Sequence, residues 1–427
     1  MKLLVVNAYV RENAGDAALL SVLLTQLKGE FPQADLALAG MEDPIARPEF
    51  EDVKNLGSIR RYTSVESLNV AHRWLRRLLV FMVAGLWFRG PKTLWRALTK
   101  LLPAEVAAEL KNIYKADVVI SLGGGYLNGK NNLGGDLNVY YLLLPVRLAE
   151  RLGKPVVFAP QSYGPFGNAR QSRWARDTLN KTNLVMVREQ TSMDLLAKLG
   201  VRPELLYKTV DSGFALNVPD QPDVISRFGI PKGLKVVGMT ARRWLPAEQQ
   251  TAYEKALAKT IDYIQGKYKM RVVLIPQVTS PFQADDDRIV EKRIASFCDP
   301  KNQPIVVDEL LSHTTLKAMY SKLDFLIGTR FHSVIFGLIS GVPSIAIEYE
   351  HKTGGIMHDL QLDDWVRKID AVTAEDLCAL FDKLAADPKA YLAQLNKGLP
   401  AYIAKANTTP QLIRQVLDGR AIPTTKS

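Results

Sequence analysis

The sequence predicts an α/β fold of two Rossmann-like domains whose parallel sheets face each other across a cleft. Three observations carry that prediction. Short runs rich in Val, Ile and Leu alternate with helical patterns through most of the chain, as in parallel sheets covered on both faces. The runs fall into two sets, separated by the stretch 217–223 with its two prolines and two aspartates. The chain has 427 residues, too many for one ordinary core.

The first set of strands is read at 3–7, 118–122, 156–160 and 184–188, and the second at 236–240, 272–276, 325–328 and 344–347. Residues 1–216 then form an N-terminal Rossmann-like domain with a basic helical insert at about 60–110. A linker follows at 217–223, a C-terminal Rossmann-like domain at 224–385, and a helical tail at 386–427 that frays from Pro423 to Ser427. In two such domains, ligands bind outside the carboxyl ends of the strands. The residues just after each strand are therefore the ones to weigh.

Hydrophobic residues make up 47% and charged residues 23%, the balance of a folded globular protein. The two cysteines, Cys298 and Cys378, give no disulfide framework and no Cys-based zinc site, and they suit a reducing cytoplasm. The apolar run at the amino terminus is too short for a signal peptide and reads as a buried strand. A cytoplasmic location is expected.

The net charge of +11 is unevenly spread. No acidic residue occurs from Ser67 to Ala104, whereas Arg73, Arg76, Arg77, Arg89, Lys92, Arg96 and Lys100 do. Within this segment, Leu78 to Phe88 has no charged side chain. Eleven residues fall short of the roughly 20 that a spanning helix needs. Trp74, Trp87 and Trp95 beside arginines suit an interfacial helix on anionic lipid. The alternative is a basic helix packed on the protein itself. No nucleic-acid motif accompanies the charge, so no nucleic-acid partner is expected.

Several strand ends carry candidate chemistry. Asn13 and Asp16 can cap the helix that follows them or contact an acceptor, and Gly15 permits a close approach. Gly123, Gly124 and Gly125 follow a strand, where bare N–H groups can meet a phosphate or sugar; a tight crossover is the competing reading. Neither a Walker loop nor the dinucleotide spacing is present. Gln161 and Tyr163 sit at the next strand end, and Arg188 is either an anion ligand or the partner of Glu189. Arg242 ends the first strand of the second set. Arg330 and His332 open a helix directly after a strand, which places guanidinium, imidazole and free N–H groups around one spot. Lys352 follows the adjacent strand. Asp285, Asp286 and Asp287 read as a solvated helix start, and no metal motif is present.

These elements occur in the order found in the polysaccharide pyruvyl transferases: Gly15-Asp16, Ser121 to Gly125, Gln161 to Pro165, Val187 to Glu189, Thr329 to His332, and Tyr349 to Lys352. The chain resembles that family from residue 1 to about 385, least in the basic insert. Ala17 and Tyr163 depart from its usual residues. The resemblance implies a GT-B-like architecture and transfer of a pyruvyl group from phosphoenolpyruvate to a sugar hydroxyl of a polysaccharide or lipid-linked saccharide, forming a ketal. It implies no cofactor beyond phosphoenolpyruvate as co-substrate. His332 is then the catalytic acid, with the donor held by Arg188, Arg330, Lys352 and the glycines 123–125. Acceptor contacts fall to Asn13, Gly15, Asp16, Gln161, Tyr163 and Arg242, and no metal is called for. Contact with the inner face of the cell membrane is expected through residues 67–104. Two alternatives stand beside this: a GT-B glycosyltransferase using a nucleotide sugar, and a non-catalytic surface module.

Overall fold

A computed structural model describes residues 1–8, 13–40, 53–64, 70–90, 99–100, 102–222, 224–230, 233–279 and 285–422, without the side chains of Ser64, Val70 and Arg89. Lys92, Trp95, Arg96, Asp223 and the expected fraying end at Pro423 to Ser427 lie outside the described residues.

The strands of the first half are β1 (Lys2–Ala8), β2 (Asp35–Gly40), β3 (Lys54–Asn55), β4 (Val118–Ser121), β5 (Leu127–Gly129), β6 (Val156–Gln161), β7 (Tyr163–Phe166), β8 (Leu184–Val187) and β9 (Leu206–Lys208). Those of the second are β10 (Val236–Met239), β11 (Arg271–Leu274), β12 (Ile305–Val306), β13 (Phe325–Gly328), β14 (Ser344–Glu348) and β15 (Val366–Lys368). One parallel sheet runs β3-β2-β1-β4-β6-β8-β9, and a second runs β12-β11-β10-β13-β14-β15. A short parallel pair, β5 with β7, stands apart from both. The α/β class with two parallel sheets is thus the one expected.

The eight anticipated strands form because their side chains have somewhere apolar to go on both faces. Leu3, Leu4, Val5 and Val6 of β1 and Val118, Val119 and Ile120 of β4 are all fully buried, and so is most of β8, β10 and β13. In each sheet the winding reverses once, between β1 and β4 and between β10 and β13. Such a reversal opens a crevice at the strands' carboxyl ends.

The chain divides into two compact units. The first comprises Met1–Arg11, Leu19–Ser212 and Lys405–Ser427, and the second Glu12–Ala18 and Gly213–Ala404. Two boundaries differ from the expected ones. Residues 386–427 are not a separate tail. Most of the helix Pro388–Ala406 belongs to the second unit, where Tyr391 and Leu395 are buried. The helix Thr409–Leu417 belongs to the first, burying Leu412 and Ile413 and pairing Arg414 with Glu30. Each helix has an apolar face, and each finds a core to cover. The turn around Gly15, expected in the N-terminal domain, groups with the second unit.

The basic insert is helical where described, over Ile59–Ser64, Val70–Arg89 and Ala104–Lys115. Glu109, fully buried, accepts a hydrogen bond from the Ile59 N–H at 2.6 Å. Burial pushes its carboxyl up to about 7, against the opposing pull of that N–H. Trp87, expected among the exposed rings, lies instead in the core with Val80, Val83 and Ala84. No helix among the described residues is long and apolar enough to cross a membrane.

Candidate active site

The reversal point of the second sheet gathers most of the charged candidates. β13 ends at Gly328 and the helix Phe331–Ile339 begins after two intervening residues, so Thr329 and Arg330 form the joint. Thr240, just past β10, fixes that joint: its hydroxyl accepts from the N–H groups of Thr329 (2.9 Å) and Arg330 (3.2 Å) and bonds the Ser333 hydroxyl. Tyr253 bonds the Thr329 hydroxyl from the other side. Backbone and side chains are therefore set before any ligand arrives.

The Arg330 guanidinium is buried and clamped by Asp287, its Nε lying 3.0 Å from both carboxylate oxygens, with Asp285 at 3.3 Å. Burial alone would lower the pKa of this arginine; the Asp287 charge overrides that and raises it, so the cation is fixed. Asp287 also accepts from the N–H groups of Gln277 and Val278. The reading of 285–287 as a solvated helix start is therefore wrong for Asp287, which opens the helix Asp287–Phe297 from inside the protein. A carboxylate with an arginine and two N–H donors can be buried where a lone one could not.

Arg242 has a different setting. Its guanidinium lies against two rings that also touch each other, 4.6 Å from the centre of Trp244 and 4.1 Å from that of Tyr349. Its buried Nε has no hydrogen-bond partner among the described residues. Burial first, and the charge of Arg330 second, push its pKa down. It is a cation crowded by a cation, resting against two aromatic rings and short of an acceptor. Lys352, which follows β14 as expected, sits in the first turn of the helix His351–Asp359. It pairs with Glu350 at 2.8 Å and lies over the rings of Phe331 and Tyr349. The Glu350 carboxyl is held below its ordinary value, burial opposing and Lys352 prevailing.

His332 stacks edgewise on Phe331 and leans on Phe336. Its ring also packs against Gly15: a Cβ there would fall 1.9 Å from Nδ1. The Gly15 turn is tied down within the same unit. Ala14 donates to the Gln277 carbonyl, and Asn13 bridges to Val278. The Asn13 side chain accepts from the N–H groups of Gly15 and Asp16, while its amide donates to Asp16. Capping by Asn13 is thus real, and glycine is required at 15 because the imidazole occupies the space of a side chain.

The first unit's candidates form a separate group. Gly123 passes so close to the Pro160 carbonyl that a Cβ would lie 2.0 Å from it, and Gly124 has φ 148. Gly125 approaches the Arg188 guanidinium. Arg188 is buried and answered by charge on two sides, by Asp211 at 2.5 Å and Glu189 at 3.4 Å, with Nε donating to Ser162. Tyr163, expected to touch an acceptor, is a core residue: it is buried against Phe158 and its hydroxyl donates to the Met186 carbonyl. Gln161 is fully buried as well. Gln161 is the last residue of β6 and Tyr163 the first of β7.

The structure therefore brings together Asn13, Gly15, Asp16, Arg242, Arg330, His332 and Lys352. It does not add Gly123, Gly124, Gly125, Gln161, Tyr163 or Arg188 to that cluster within one unit. The clamp by Asp287 and the ring pair beside Arg242 escaped sequence reasoning. The aspartate run at 285–287 was the one available signal for the first. Among the described residues no group of His, Cys, Asp and Glu is placed to hold a metal ion.

Comparison with known proteins agrees with the order of these elements. The family described as polysaccharide pyruvyl transferase matches residues 13–351. The amylovoran biosynthesis protein AmsJ of Erwinia amylovora is 24% identical over 391 residues, covering 87% of this chain and 89% of AmsJ. Among solved structures, UDP-GlcNAc 2-epimerase from Neisseria meningitidis bound to UDP-GlcNAc superposes with a TM-score of 0.61 at 12% identity, over 98% of this chain and 100% of that one. The Methanocaldococcus jannaschii UDP-GlcNAc 2-epimerase gives 0.55 at 12%, over 90% and 92%. At such identities the epimerases share the fold with this chain, and the match carries no function.

Proposed function

Since the chain belongs to the polysaccharide pyruvyl transferase family, and is an enzyme of that type, we propose that its donor is phosphoenolpyruvate and its product a pyruvate ketal on a saccharide. The observation that supports this most is the set of fixed cations at one strand-end crevice: Arg330 locked by Asp287, Arg242 against two rings, and Lys352 beside them. Phosphoenolpyruvate carries a phosphate and a carboxylate, and planar guanidinium groups bind both in bidentate fashion. Arg242, first assigned to the acceptor, is better placed on the donor, because it stands in the electrostatic reach of Arg330 and lacks an acceptor of its own.

In the reaction, protonation of the methylene carbon makes the adjacent carbon electrophilic, and a sugar hydroxyl adds to it. The C–O bond to phosphate breaks, and a second hydroxyl of the same sugar closes the ketal. Of the two hydroxyl protons, one balances the new methyl group and the other leaves with phosphate. His332 is the proton donor in this scheme, its ring orientation imposed by Gly15, Phe331 and Phe336. Asn13 and Asp16, on the turn that carries Gly15, are the acceptor contacts. Arg188 keeps no donor role in this scheme, because it belongs to the first unit and not to the group of Arg242, Arg330 and Lys352 in the second.

Phosphate release that requires both phosphoenolpyruvate and saccharide, with the saccharide gaining the mass of a pyruvate ketal, is the expected result. Binding of a UDP-sugar in place of phosphoenolpyruvate would overturn the reading and favour the glycosyltransferase alternative.

A further inference from the structure

A cleft of about 280 Å³ opens beside the cations of the second unit, with Trp244, Glu348, Tyr349, Glu350, Lys368 and Asp370 among its walls. Glu348 is the last residue of β14 and Lys368 the last of β15. The cleft therefore lies at strand carboxyl ends, where open parallel sheets take ligands. It adjoins the donor cations directly: Arg242 rests against Trp244 and Tyr349, and Lys352 pairs with Glu350.

Trp244 is 45% exposed, yet it is held in place. The buried Gln250 side chain accepts from the N–H groups of Trp244 (3.0 Å) and Leu245 (3.1 Å) and donates to the Arg242 carbonyl at 3.1 Å. The indole itself meets Tyr349 edgewise, with 5.0 Å between ring centres. An exposed ring on a free loop says little. One fixed through its backbone and its ring, in a cleft walled by carboxylates, is a surface prepared for a ligand.

The charge of the cleft selects among ligands. Three carboxylates line it, those of Glu348, Glu350 and Asp370, with Lys368 and His351 beside them. Glu350 is taken up by Lys352. Among the described residues the side chains of Glu348 and Asp370 have no hydrogen-bond or ion-pair partner, so their oxygens are open to donors. An excess of carboxylates disfavours a phosphate or a carboxylate here, and the neighbouring cations offer an anion the better place. A neutral sugar has the opposite needs. One face of its ring presents C–H groups that can lie on an indole, and its hydroxyls donate to carboxylates.

We propose that this cleft seats a neutral sugar unit of the acceptor saccharide, an inference that rests on the pyruvyl-transfer reading of the adjoining site. Neither His332 nor Asp16 is among its walls, so the unit held there is a neighbour of the sugar that reacts. Trp244, Glu348 and Asp370 then favour acceptors of two or more units over a single sugar.

The test is saturation-transfer NMR on the full-length protein without donor. The probes are the methyl glycosides of glucose, galactose, mannose and N-acetylglucosamine, and disaccharides built from each. At least one disaccharide is expected to bind more tightly than its methyl glycoside, and Trp244→Ala should abolish that binding. Glu348→Gln and Asp370→Asn should each raise its dissociation constant about tenfold or more, the loss of a hydrogen bond to a charged group. Asp370→Asn should keep the wild-type melting temperature and the wild-type affinity for phosphoenolpyruvate. Because the saccharide is read without the donor, a failure of phosphoenolpyruvate to bind removes the donor assignment and not this result. Disaccharide binding that Trp244→Ala and Asp370→Asn leave intact overturns the proposal. So does the absence of binding by every disaccharide in the panel, or binding of UDP-glucose alone that Trp244→Ala abolishes.

Discussion

Arg188 and Arg330 stand in similar places in the two units, each directly past a buried parallel strand, and each is clamped by a buried aspartate. Each guanidinium meets two carboxylates, and what else stands nearby differs. Arg188 has two carboxylates for one guanidinium, Asp211 and Glu189. Around Arg330, besides Asp287 and Asp285, stand Arg242 and Lys352, the latter paired with Glu350, with His332 two residues on. A strand-tip arginine locked to an aspartate is therefore not by itself a ligand for an anion. What distinguishes the second unit is additional cations and a ring held in one orientation.

The strongest challenge to that contrast is His332→Ala. Loss of a general acid lowers rate by about 10²–10⁴, so turnover should collapse while phosphoenolpyruvate still binds calorimetrically. Wild-type turnover would remove His332 from the chemistry. Next comes Gly15→Ala, whose methyl would overlap the imidazole. Displacement of a catalytic group by about 1 Å can cost on the order of 10² in rate. Turnover should fall by about that factor, with little change in phosphoenolpyruvate affinity. Unchanged kinetics would mean that the ring finds its place without the glycine.

Arg188→Ala is expected to act on stability. Removing one partner of a buried pair leaves an uncompensated charge, at a cost of about 3–5 kcal/mol, visible as a lower denaturation midpoint. The folded fraction should keep its donor affinity. The smallest effect belongs to Glu109, whose carboxyl titrates at about 7 in the folded protein against an ordinary 4.5. Between those values the folded state holds a proton that the unfolded state has lost, so stability falls as pH rises through that window. The size is at most about 3 kcal/mol. Denaturation midpoints at pH 5 and pH 8 should show the fall in the wild type and less of it in Glu109→Gln, whose amide oxygen still accepts from Ile59.

The strands buried on both faces were legible because burial leaves an uninterrupted apolar run, as in Leu3 to Val6 and Phe325 to Gly328. Edge strands such as β3 and β15 were not, since Lys54, Asn55, Arg367 and Lys368 carry no such pattern. Arg330 and His332 were legible because they follow a strand directly. Their supports were not: Asp287 lies 43 positions earlier, and the Gly15 turn comes from the far end of the chain. The sequence places Tyr163 at a strand end, yet packing against Phe158 makes it core. Position along a strand can be read locally, whereas the partner of a buried charge is chosen by the tertiary fold.

The most direct test of the donor assignment is calorimetric titration of phosphoenolpyruvate into Arg242→Ala, beside the wild type. A charge-assisted contact is worth about 1.5–3 kcal/mol, so the variant should bind the donor about 10- to 100-fold more weakly with its fold intact. Wild-type affinity in Arg242→Ala would contradict the placement of phosphoenolpyruvate at the second unit's strand ends.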